Sequence, residues 1–256
     1  MRAIVTGASS GIGADTVRLL RQRGWSVLGV ARRADRLAAL AEETGADVFT
    51  ADLTSDADVA ALAAEVRASG GADVLISNAG GAFGLESVED GDIEDWRRMF
   101  DINVLGMKRV VTALLPVLRE SVEPGRSASI VGVTSMAAHR AYEGGGGYNA
   151  AKFAQRAVLE VLRLELNGEP IRVIEVAPGL VHTEEFSLNR FGGDQSRADA
   201  VYADVPEPLI GADIAEIIVH AVELPAHVNI DSFIVKPVAQ AAPHRLARGP
   251  LTVRAE

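Results

Sequence analysis

The 256-residue sequence predicts a doubly wound α/β fold: a parallel sheet of about seven strands with helices on both faces. Short β-branched runs are nearly continuous in apolar character, as strands covered on both faces are. Longer Ala/Leu-rich segments with helical spacing alternate with them. Right-handed crossovers between parallel strands leave few other topologies.

In chain order the strands are "AIVT" (3–6), "SVLGV" (26–30), "DVFT" (47–50), "DVLIS" (73–77), "SIVGV" (129–133), "RVIEV" (172–176) and "SFIV" (232–235). Helices are predicted over 12–23, 35–43, 56–69, 93–120, 148–166 and 213–224. The fourth is expected to break near Asn103, and Pro116 to bend it or mark its last turns. Helices 104–120 and 148–166 are apolar over more than one face, so one face covers the sheet and the rest is available to another subunit. The segment 178–211 mixes Pro, Gly and charge without a period and reads as a loop or lid with short helical pieces, the lid lying around 182–204. The tail from about 240, which includes Arg245, Arg248, Arg254 and Glu256, reads as irregular. No repeat or linker divides the chain, so a single domain over 1–256 is expected.

Hydrophobic residues make up 48% and charged residues 23%, ordinary for a globular protein. The absence of cysteine excludes disulfides and thiol catalysis and suits a reducing, cytoplasmic location. A net charge of -10 argues against a nucleic-acid partner, which needs a clustered basic face. No apolar run reaches membrane-spanning length, so no membrane partner is expected. His139, His182, His220, His227 and His244 show no ligand spacing, and no metal is expected.

The first strand runs into "TGASSGIGADTVRLL", with Gly7, Gly11 and Gly13 in the turn to the helix. Glycines allow positive φ and close approach of a phosphate. The helix N-terminus adds free N–H groups and a positive dipole end. The spacing is G-x-x-x-G-x-G, and a tight turn without a ligand is the plain alternative. After the second strand, "GVARRADRL" places Ala31 where an acid would grip a ribose hydroxyl. Arg32 and Arg33 follow, with Arg36 opening the next helix and Asp35 positioned as its N-cap. Arginines here suit a 2′-phosphate, hence NADP, against the alternative of a solvated charge cluster.

"AYEGGGGYNAAKFAQ" sends Gly144–Gly147 straight into Tyr148, with Lys152 four residues on. At i and i+4 the two share a helix face. An ammonium beside a phenol favours phenolate and would lower its pKa, so Tyr148 could exchange a proton with a substrate oxygen. The glycines would let the loop turn sharply and leave the pocket uncrowded. A surface tyrosine beside an extended lysine is the alternative. Ser135 follows the fifth strand at the sheet's C-terminal edge, where ligand crevices form, and Asn103 lies on an adjacent helix.

Together "TGASSGIG", "SNAG" (77–80), Asn103, Ser135, "YNAAK" and "PGLVHT" resemble, in order and over nearly the whole chain, the short-chain dehydrogenase/reductase family. The resemblance implies a Rossmann-like fold and NADP-linked hydride transfer between a hydroxyl and a carbonyl. It makes Tyr148 the acid/base and Lys152 the group that holds the nicotinamide ribose and depresses the Tyr148 pKa. It has Ser135 orient the carbonyl and Asn103 help hold a relay water. It places the glycine turn (Gly7, Ser9, Ser10, Gly11, Ile12, Gly13) at the pyrophosphate. Asp52 and Leu53 would lie at the adenine, Asn78, Ala79 and Gly80 beside the ribose, and Pro178, Gly179, Val181 and Thr183 in the nicotinamide loop. Ser77 departs from the family, which commonly has Asn there. "PGLVHTEEFSLNRFGGD", "LPAHVNID" and "ARRADRL" are similar to the NADP-dependent 3-hydroxy acid (serine-type) dehydrogenase branch, which implies a short acid as substrate. A carboxylate needs a cation; Arg190 is the first choice, ahead of Arg140 and Arg197. The alternatives are a ketoreductase on a larger or neutral carbonyl, including one on an acyl carrier docked near Lys108 and Arg109, and a non-catalytic NADP-binding sensor. The overall charge and Glu169 oppose carrier docking. The family also implies a homodimer or homotetramer.

Overall fold

The structure is a computed structural model that describes residues 1–253. Seven parallel strands form one sheet: β1 (Arg2–Thr6), β2 (Ser26–Ala31), β3 (Asp47–Thr50), β4 (Val74–Ser77), β5 (Ala128–Val133), β6 (Ile171–Pro178) and β9 (Ser232–Val235). Their order is β3-β2-β1-β4-β5-β6-β9. This is the Rossmann-like arrangement read from the sequence. Strands β1, β4, β5 and β6 are buried nearly throughout, which explains their unbroken apolar character.

Helices α1 (Gly11–Gln22), α2 (Ala34–Thr44) and α9 (Gly211–Glu223) cover one face. Val17, Leu20, Leu37, Ile214 and Ile218 bury there against Val5, Val27 and Ile76. Helices α3 (Asp56–Ala68), α5 (Gly106–Glu120) and α6 (Gly146–Glu165) cover the other, through Leu62, Val110, Leu114 and Leu159 against Ile4, Leu75 and Ile130. The predicted break near Asn103 is a change of helical pitch: α4 (Ile93–Phe100) passes through a π-helical turn at Asp101–Leu105 into α5. Pro116 does not end α5, which continues to Glu120; the residue is exposed, so its ring lies on the solvent side. Asp35 is not the N-cap of α2 but sits in its first turn, behind Arg33 at the cap.

Between β6 and α9 lie two short strands, β7 (Val181–His182) and β8 (Leu209–Ile210), and two short helices, α7 (Phe186–Arg190) and α8 (Gln195–Tyr202). The tail expected to be irregular instead forms an antiparallel hairpin of β10 (Gln240–Ala242) and β11 (Arg245–Leu246). It is tied down locally: Ala247 N donates to Ala239 O at 2.7 Å and Gly249 N to Asp204 O at 2.7 Å. Pro243 and His244 form the connection, a turn with no hydrophobic period to announce it. Arg254 and Glu256 lie outside the described residues. Among the described residues no helix is long and apolar enough to cross a membrane.

Candidate active site

The strand order reverses direction between β1 and β4, and a cleft of about 920 Å³ opens at that end of the sheet. The turn after β1 is held from the β4 side. Asn78 Nδ2 donates to Thr6 O at 3.0 Å, and Thr6 Oγ1 accepts from Asn78 N and Ala79 N at 3.0 and 3.1 Å. Gly7, Ser9, Ser10, Gly11, Ile12, Asn78, Ala79 and Gly80 all line the cleft. Gly13 does not line it. A Cβ at Gly13 would stand 2.3 Å from Gly7 O and 2.6 Å from Asn78 Nδ2, so this glycine lets α1 start hard against the turn.

Arg32 and Arg33 line the far end of the cleft. Arg33 Nη2 donates to Ser9 Oγ at 2.7 Å and Ser10 Oγ at 3.1 Å, tying β2's end to the glycine turn. This seat already holds an oxyanion. The Glu185 carboxylate pairs with Arg33, lies 2.7 Å from Arg36 and accepts from Ser10 Oγ at 2.8 Å. The Arg33 guanidinium and the Ser10 hydroxyl hold Glu185 below the usual carboxylate range against its partial burial. The donor set thus fits a phosphate in chemistry: two guanidinium groups and the Ser10 hydroxyl converge on the Glu185 carboxylate. Leu53 lines the cleft beside Ala51, whereas Asp52 turns away. Its carboxylate accepts from Thr54 N at 2.9 Å and Thr54 Oγ1 at 2.8 Å, bonds that help lower its pKa. Pro178, Gly179, Val181 and Thr183 close the near side.

Tyr148 is 7% exposed and sits where α6 enters the cleft, in T-shaped contact with Phe186 at 5.7 Å between ring centroids. The glycines before it act mainly by permitting close packing. A Cβ at Gly147 would lie 2.4 Å from Met99 Cε, so that residue lets α6 seat on α4; only Gly144 (φ +71°) in the run uses the left-handed region. Ser135 Oγ accepts from Ala137 N at 3.1 Å and donates to Pro178 O at 3.4 Å. Ser135, Tyr148 and Lys152 all line the cleft.

Two expectations are corrected by the geometry. The Tyr148 phenol is pushed up, not down: burial dominates, the neighbouring Tyr142 phenol adds to it, and Ser135 and Arg190 act in the opposite direction. Lys152 does not face the phenol closely. Its Nζ is 5.7 Å from the ring centroid and donates to Gln155 Oε1 at 2.8 Å and Val133 O at 3.4 Å. Burial lowers the ammonium to about 7, with Glu175 opposing. Asn103 is fully buried. Its amide donates to Gly81 O and Met99 O, both at 2.8 Å, and its Oδ1 accepts from Gly81 N at 3.3 Å. The side chain therefore pins the loop after β4 to the π-helical turn.

Arg190, at the end of α7, reaches the same chamber. Its Nε donates to Gly84 O at 3.2 Å and its Nη1 to Tyr142 Oη at 2.9 Å. Its guanidinium carbon is 5.6 Å from the Tyr148 ring centroid. The remaining nitrogen, Nη2, is buried and finds no hydrogen-bond partner among the described residues. Arg197 instead stacks on Phe191 at 4.6 Å, and Arg109 is committed to Asp56 and Asp101 at 2.8 and 2.7 Å, so Arg109 presents no free charge for a carrier protein. Tyr142 and Glu185 are site residues to which sequence reasoning gave no role, although both lie in the stretches it singled out.

A glycine turn at the switch point, an anion seat of paired arginines, and Ser135 with buried Tyr148 and Lys152 in the same cleft define a dinucleotide-linked oxidoreductase. Residues 1–190 match the family model described as short chain dehydrogenase, and the chain belongs to that family. It is 53% identical to an uncharacterized oxidoreductase of Mycobacterium tuberculosis, over 97% of this chain and 96% of that one. It is 39% identical to sulfoacetaldehyde reductase 2 of Chromohalobacter salexigens, over 93% and 94%. A solved closed form of serine dehydrogenase complexed with NADP+ superposes with a TM-score of 0.89 at 33% identity, covering 100% of both chains.

Proposed function

We propose that this chain is an NADP-dependent oxidoreductase that interconverts a hydroxyl and a carbonyl on a short 3-hydroxy acid. The observation that carries the substrate class is the unpartnered, buried Nη2 of Arg190 beside Tyr148. A buried guanidinium nitrogen without a partner is costly, and a carboxylate in the chamber would satisfy it. The two relatives above with named substrates act on small polar molecules, serine and sulfoacetaldehyde, which supports the same reading.

NADP(H), when bound, would supply or take up the hydride. Tyr148 Oη gives a proton to the substrate oxygen or takes it back. Ser135 Oγ donates to that same oxygen, so both groups meet the charge that develops there. Lys152 Nζ, held by Gln155, binds the ribose and favours the phenolate once turned toward it. Asn103 acts at a distance, by fixing the loop that borders the ribose. Gly7, Ser9, Ser10, Gly11 and Ile12 hold the pyrophosphate and Arg32 and Arg33 the 2′-phosphate; Leu53 contacts the adenine; Asn78, Ala79 and Gly80 border the ribose; Pro178, Gly179, Val181 and Thr183 hold the carboxamide end. Segment 182–204 serves as the lid of a single catalytic domain, with Phe186 excluding water over Tyr148.

Phe153, Val161 and Leu164 leave an exposed apolar face on α6, which supports a homodimer or homotetramer built on that helix. The test of the activity is a panel of 3-hydroxy acids and neutral alcohols of equal size, each with NADP and NAD, followed by reduced-cofactor absorbance. Turnover of the acids with NADP is expected. Turnover confined to neutral alcohols would remove the 3-hydroxy acid assignment.

A further inference from the structure

Glu185 occupies the anion seat more completely than a surface ion pair would require. Both of its oxygens are taken. Oε1 meets Arg33 and Arg36, and Oε2 accepts from Ser10 Oγ at 2.8 Å. The side chain is only 15% exposed, and Glu184 reaches Arg36 at 3.8 Å alongside it. Arg33 is one of the two arginines that the NADP reading gives to the 2′-phosphate, and Arg36 and Ser10 flank it.

We propose that Glu185 is an internal competitor for the cofactor's 2′-phosphate, latching the start of α7 to the Arg33–Arg36 seat until the phosphate displaces it. The inference rests on the NADP reading. A phosphate monoester carries more charge than a carboxylate and offers three acceptor oxygens, so it is the stronger partner for two guanidinium groups. Two anions cannot share the seat without repulsion. Glu185 must therefore leave when the phosphate arrives.

Its departure acts on the chemistry through the chain. Glu185 immediately precedes α7, whose first residue, Phe186, packs on Tyr148 and whose last, Arg190, carries the unpartnered nitrogen. Releasing the latch frees the helix that presents the substrate cation. A cofactor without the 2′-phosphate has no group to break the latch, so Glu185 lowers the affinity for NADP(H) alone and leaves α7 latched when NAD(H) binds.

The test uses 2′,5′-ADP and 5′-AMP as probes of the seat alone, by isothermal titration with the parent protein, Glu185→Gln and Glu185→Ala, together with hydrogen exchange over 182–204. In the parent, 2′,5′-ADP is expected to bind more tightly than 5′-AMP. In both variants the affinity for 2′,5′-ADP is expected to rise roughly three- to tenfold, the scale of breaking partly exposed ion pairs, while 5′-AMP is unchanged. Exchange in α7 is expected to rise in the parent on adding 2′,5′-ADP but not 5′-AMP, and to be raised already in the free variants. Unchanged or weakened 2′,5′-ADP binding in both variants overturns the latch, as does α7 exchange in the parent that ignores 2′,5′-ADP. Equal parent affinities for the two probes would overturn the NADP reading itself.

Discussion

Tyr148 and Lys152 stand one helical turn apart on α6 and do not pair: Lys152 Nζ lies 5.7 Å from the tyrosine ring centroid and donates instead to Gln155 Oε1 at 2.8 Å. Burial drives both groups toward their neutral forms, the phenol up and the ammonium down to about 7. The cleft thus holds a protonated acid and an amine that titrates near neutrality, before any ligand enters.

Tyr148→Phe keeps the ring, its contact with Phe186 and the helix, and removes only the transferable proton. NADPH binding is expected to persist while kcat falls about 10²- to 10⁴-fold. Single-turnover rates against fluorescence titration of NADPH separate the two. Near-parent turnover in the Phe variant would exclude Tyr148 as proton donor.

Lys152 makes stability depend on pH with a definite sign. Its folded value, about 7, is below the unfolded value near 10.5, so between them the unfolded chain binds more protons. The cost of burying the ammonium is fully present below pH 7 and is relieved as pH rises toward 10.5. The melting temperature of the cofactor-free parent, relative to Lys152→Met, should therefore climb across pH 7–10, by at most about 1.4 kcal/mol of stability per pH unit. A constant difference across that window would mean that burial does not lower the Lys152 pKa.

Arg33 bridges the glycine turn and the end of β2, whereas Arg32 is exposed at the rim. Arg33→Ala is expected to weaken NADPH by roughly 1.5–3 kcal/mol, about ten- to more than a hundredfold, and Arg32→Ala by less. NADH binding should change little in either. Parent titrations with equal affinity for the two cofactors would defeat the assignment.

Arg190→Ala should raise KM for a 3-hydroxy acid about ten- to a hundredfold, with little effect on a neutral alcohol of the same size. Arg190→Lys should recover part of the loss, since a point charge lacks the planar fork. Equal losses on both substrates would assign Arg190 to holding Tyr142 and Gly84 rather than substrate.

The sequence by itself determined the seven strands and the helices between them, because buried parallel strands and sheet-covering helices impose local periods on the residues that build them. It also determined which residue types gather in the cleft: Ser135, Tyr148 and Lys152 follow strand ends and helix spacing, which local geometry transmits. What depended on desolvation was decided only by the tertiary structure. The i, i+4 spacing argues for a lowered phenol, yet burial of Tyr148 and the neighbouring Tyr142 push it up, while Lys152 donates to Gln155. The local partners of Asp52 and Gly13 also emerge only in the structure: the Asp52 carboxylate accepts from Thr54, and Gly13 lets α1 pack against the Gly7 turn. Glu185 lies in a stretch the sequence singles out, but its pairing is not local: Arg33 is 152 residues away in the chain, and only folding the segment after β6 over the end of β2 brings the two charges together.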